Sequence, residues 1–62
     1  MLVENIIDVF QMTAGQYIVI ISHEFKNTIA FGTVAEIKPK YGQSEVVNIR
    51  REYDVVFVEI LG

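Results

Sequence analysis

Two short segments, Tyr17-Ile18-Val19-Ile20-Ile21 and Val55-Val56-Phe57-Val58-Glu59-Ile60-Leu61, are apolar at nearly every residue. Their β-branched and aromatic side chains predict strands, and successive side chains of a strand point to opposite faces. Both faces of these strands therefore need cover. A chain of 62 residues can hardly supply two covering layers. The simplest source of the missing layer is another protein chain.

Length and composition sharpen the same point. The chain is long enough for one domain, spanning residues 1–62. A domain near 60 residues buries only about 60% of its unfolded surface. Disulfides, a metal or association usually make up the deficit. There are no cysteines and there is one histidine, His23, so association is the device left, and no cofactor or metal is expected. Apolar residues form 52% of the chain, which argues against disorder. A net charge of −3 disfavours nucleic acid and anionic membrane as partners. The N-terminal residues lack the basic region of a signal peptide, and no apolar run approaches the ~20 residues of a membrane span. The expected location is the cytoplasm, which the absence of cysteine also fits.

The element order reads helix, strand, strand, strand, strand. In Leu2 to Met12 the apolar residues Val3, Ile6, Ile7 and Phe10 follow helical spacing, so Ile6 and Phe10 are expected to be buried. Gly15 offers a left-handed C-cap. Tyr17 to Ser22 predicts the first strand and His23 to Asn27 a hairpin turn. Thr28 to Ile37 predicts the second strand, where Gly32 marks a bulge or a close approach. Pro39 and Gly42 place Lys38 to Ser44 in a loop. Glu45 to Arg50 and Val55 to Leu61 predict the third and fourth strands, joined by a turn at Arg51 to Asp54. Short connections favour antiparallel neighbours. The expectation is an α+β fold, with an N-terminal helix packed on a four-stranded antiparallel sheet. If Leu2 to Met12 is a strand instead, five strands could curl into an all-β, SH3-like barrel.

No residue cluster carries a clear chemical signature. Ser22-His23-Glu24 places hydrolase residue types side by side, but triad members converge from separate parts of a fold. A turn is the expected role, with His23 also able to serve as a pH-sensitive interface contact. Glu52 and Asp54 flank Tyr53 with nothing to converge on. Little volume is expected for a pocket of about 300–1,000 Å³, so no catalytic residue is assigned and no enzyme is expected. Lys38, Lys40, Arg50 and Arg51, near Tyr41 and Tyr53, imitate a nucleic-acid surface, yet the third strand should separate the two pairs. Phe25, Tyr41 and Tyr53 are the candidate anchors for protein binding. Val56 and Val58 join them if their strand face is the uncovered one, with Val55 and Phe57 as the alternative pair.

The pieces Val3-Glu4-Asn5-Ile6-Ile7-Asp8-Val9-Phe10, Gln16-Tyr17-Ile18-Val19-Ile20, Gly32-Thr33-Val34-Ala35-Glu36-Ile37 and Val55-Val56-Phe57-Val58-Glu59-Ile60 together resemble short proteins of phages and mobile elements in low-GC Gram-positive bacteria. The resemblance lies in the hydrophobic pattern across most of the chain and transfers no site residue. It implies an inhibitor or modulator of a larger host protein, such as a bacterial defence protein. The expected function is thus a non-enzymatic protein-interaction module that acts by steric occlusion, a homodimer that buries the uncovered sheet face or pairs edge strands. The alternatives are an SH3-like nucleic-acid binder and a small-ligand sequestering protein.

Overall fold

A computed structural model describes residues 1–62. The chain order is α1 (Val3–Val9), β1 (Tyr17–Ser22), β2 (Thr28–Thr33), α2 (Val34–Tyr41), β3 (Val46–Glu52) and β4 (Val55–Ile60). The class is α+β, and the sheet is not closed into a barrel.

The N-terminal helix is present and short. Its first free N–H groups are satisfied by the segment before β3: Val3 donates to the Ser44 carbonyl and Glu4 to the Gly42 carbonyl, each at 3.0 Å. The helix does not run on to a cap at Gly15. Gln11 takes the left-handed conformation at φ 53°. Gln11 N–H donates to the Asp8 carbonyl and Met12 N–H to the Ile7 carbonyl, the paired bonds of a Schellman motif. This early stop moves Phe10 off the packed stripe. Ile6 is buried as expected, whereas Phe10 is 42% exposed.

The second expected strand ends four residues early. Thr33 N-caps a second helix, because its hydroxyl accepts from the Glu36 N–H while the Glu36 carboxylate accepts from the Thr33 N–H at 2.9 Å. This reciprocal pair is a capping box. The folded-back carboxylate approaches Gly32 closely: an added Cβ would lie 2.9 Å from Glu36 Oε1, so that side chain would have to shift. Val34, Ile37 and Tyr41 follow helical spacing, and the first two are buried. Pro39 lies inside this helix, so the expected loop at Lys38 to Ser44 is mostly helical.

The sheet order is β2-β1-β4-β3. The two hairpins β1–β2 and β3–β4 are antiparallel, but β1 and β4 pair in parallel at the centre, with Ile18 opposite Val56 and Ile20 opposite Val58. The sheet is therefore mixed, not antiparallel throughout. The reason is α2, which carries the chain from one edge strand to the other and brings β4 back alongside β1. Near-continuous apolar runs are characteristic of buried parallel strands, and β1 and β4 are the two central ones.

Both helices lie on one face of the sheet. The core there joins Val3 and Ile7 of α1, Val34 and Ile37 of α2, and Ile18, Ile20, Val56, Val58 and Ile60 of the central strands. Met12, Ala30, Tyr41, Val46 and Ile49 pack around it. No helix is long and apolar enough to cross a membrane.

Candidate functional site: the open face of the sheet

Residues that alternate with the core set point away from the helices. Cross-strand pairing orders them into rows. The middle row runs Phe31, Val19, Phe57, Arg50 across β2, β1, β4 and β3. The next row toward the β1–β2 turn runs Thr28, Ile21, Glu59, Asn48. Toward the other end lie Tyr17, Thr33, Val55 and Glu52.

No helix covers this face, and its aromatic residues shield their smaller neighbours. Tyr17 and Phe31 stack with centroids 5.6 Å apart and planes 17° from parallel, a favourable geometry for aromatic pairs. They remain 52% and 64% exposed. Val19 is only 7% exposed, because Phe31 and Phe57 flank it in the row. The Arg50 guanidinium carbon lies 4.7 Å from the Phe57 centroid, within the cation–π range. Arg50 Nε also pairs with Glu52 at 3.0 Å.

Charge on this face sits at its margins and is largely paired. Glu59 meets the His23 ring and the Lys26 ammonium, the latter at 3.1 Å. Hydrogen bonding with His23 first, and with Lys26 second, holds the Glu59 carboxyl below the usual carboxylate range. On the helical layer, Glu36 is lowered too, first by the Thr33 N–H and then by its hydroxyl.

The remaining sequence candidates scatter. Val56 and Val58 are fully buried beneath the helices, so the surface pair on β4 is Val55 and Phe57. Sequence alternation had offered both pairs and could not rank them. Tyr41 packs against the core. Phe25 and Tyr53 are 70% and 97% exposed, in the β1–β2 and β3–β4 turns at opposite ends of the sheet. Lys38 and Lys40 belong to α2, whereas Arg50 and Arg51 are successive residues of β3 and point to opposite faces. The four cations do not share a surface. The Ser22 hydroxyl donates to the Gly62 carbonyl and accepts from the Phe25 N–H, while His23 turns to Glu59 and Lys26.

Sequence reasoning did not group Tyr17, Val19, Phe31 and Arg50 on one face. Their common face follows from strand register, which period-two alternation within each strand cannot supply. It also expected little volume for a pocket, yet a groove of about 620 Å³ lies between α1 and α2. Ile7, Met12 and Val34 contribute its apolar lining, with Glu4, Asp8 and Lys38 among its polar residues. In comparison with known proteins, no family model, curated sequence or solved structure matches this chain.

Proposed function

We propose that the chain is a non-enzymatic protein-interaction module whose binding element is the open face of the sheet. One observation carries this reading: Phe31, Val19 and Phe57 form an unbroken apolar row with no covering element. Aromatic residues in such a setting supply much of the energy of protein interfaces. The row is bounded by compensated charges, as in an interface with a dry centre and a polar rim.

The biological role that fits is modulation of a larger host protein by steric occlusion, in the bacterial cytoplasm, as for the phage and mobile-element proteins the sequence resembles. The turns bearing Phe25 and Tyr53 stay free to meet that target when the sheet face is occupied. The test is Phe31→Lys, at a side chain 64% exposed and so removable without opening the core. Self-association or capture of another protein by the wild-type chain should be lost, with an unchanged circular dichroism spectrum. Binding that survives this substitution would sink the reading.

A further inference from the structure

We infer that the open face is closed by a second copy of this chain, packed sheet to sheet about a twofold axis running along the strands between β1 and β4. The inference rests on the interaction reading of that face and names its occupant.

The first argument is the pattern of the middle row. A twofold axis in that position lays the row over its own reverse. Phe31 then faces the partner copy's Arg50, and Val19 faces its Phe57. The reciprocal contacts follow by symmetry, as in any isologous interface. Each large ring meets either the smallest side chain of the row or the guanidinium, which is already placed on one ring at 4.7 Å. A twofold axis across the strands would instead set Phe31 on Phe31 and Arg50 on Arg50, the second a like-charge contact.

The second argument is area. The two longer dimensions of the molecule are 28 and 22 Å, and their product bounds the face at roughly 600 Å². Two such faces remove about 1,200 Å², the lower limit of specific protein interfaces. Nearly the whole face must therefore be used, and a second copy, whose open face has the same outline, can cover it fully. Sheets that pack face to face keep their strands roughly aligned.

The third argument is charge. Arg50 is paired with Glu52, and Glu59 with Lys26 and His23. The face offers no uncompensated positive field for a phosphate backbone, so an uncharged apolar occupant fits it better than a single-stranded nucleic acid.

The test begins with light scattering, which should give twice the chain mass of 7.1 kDa at micromolar concentration. Phe31→Lys should raise the dissociation constant by about 30-fold or more with the fold intact. Because the chain has no cysteine, Phe31→Cys and Arg50→Cys can each carry a single thiol at an exposed site. When the two variants are mixed and oxidised, the mixed disulfide should dominate over either homodimer. Dominant cross-linking of Phe31→Cys to itself would overturn the proposed axis. A wild-type monomer at 100-fold higher concentration would overturn the second copy as occupant. If that monomer captures another protein through Phe31, the interaction reading stands without it. If it instead binds a single-stranded oligonucleotide through Phe31, both readings fall.

Discussion

Along β1 and β4, neighbouring residues of one backbone serve two faces of different chemistry. Beneath the helices stand Ile18, Ile20, Val56 and Val58, all fully buried. On the other side stand Tyr17, Val19, Val55 and Phe57, with Phe31 alongside on β2. The covered face uses compact aliphatic residues that helices can approach closely. The open face carries the sheet's aromatic rings and an arginine lying over one of them. The helix-covered face has its packing supplied from within the chain. The open face has the composition of an interface, with broad rings that present much area for little conformational freedom.

The largest contrast should come from charge insertion on adjacent residues of β4. Val56→Lys buries an unpaired cation in the core, at a cost comparable with the whole stability of a small domain. It should abolish the folded spectrum. Phe57→Lys should stay folded by circular dichroism and, if the face is closed by a second copy as proposed, lose only self-association. Equal unfolding of both variants would erase the distinction between the faces.

A milder contrast compares one residue type at two successive positions. Ile20→Ala should cost about 2–5 kcal/mol in denaturant unfolding, through the cavity it leaves. Ile21→Ala, at a half-buried site on the open face, should cost about 1 kcal/mol when measured at a concentration where the chain is monomeric. Smaller again is the helix cap. Thr33→Ala removes half of the capping box that starts α2, and should cost about 1 kcal/mol. A null effect there would mean that α2 is held by packing alone.

The smallest expected effect is on pH. Glu59 and Glu36 both have carboxyls lowered in the folded chain. In the unfolded chain they return to ordinary values, so the unfolded state takes up protons first as pH falls. Their contribution is complete above the ordinary carboxylate range and is lost as pH drops through the lowered folded values. The urea midpoint should fall over that acidic window, and Glu59→Gln should make the fall shallower. An unchanged slope would mean that the His23 and Lys26 contacts with Glu59 do not persist in solution.

The first helix, both hairpins and the two-faced character of β1 and β4 were legible in the sequence. The second helix was misread because Phe31, Thr33, Ala35 and Ile37 alternate as a strand would. The competing signals were Thr33-Val34-Ala35-Glu36, a capping box, and the helical spacing of Val34, Ile37 and Tyr41. Pro39 weighed against a helix, although α2 accommodates it. With α2 unrecognised, β4 could not be placed beside β1, because only a long crossover permits that parallel pair. The open face was inferred as a gap in cover. Its membership needed the register that joins Phe31 to Val19 and Val19 to Phe57.

The parallel pairing of β1 with β4 also sets an order of events in folding. Each outer hairpin joins residues close in sequence, and such hairpins form within about 1–10 μs. The centre joins Ile18 to Val56, across most of the chain, and must bear the entropy of closing that long loop. The strands most deeply enclosed in the finished sheet are thus expected to meet last. Until they do, β1 and β4 each present an unpaired apolar edge. The interval before that closure is when a chain this small is most exposed to aggregation.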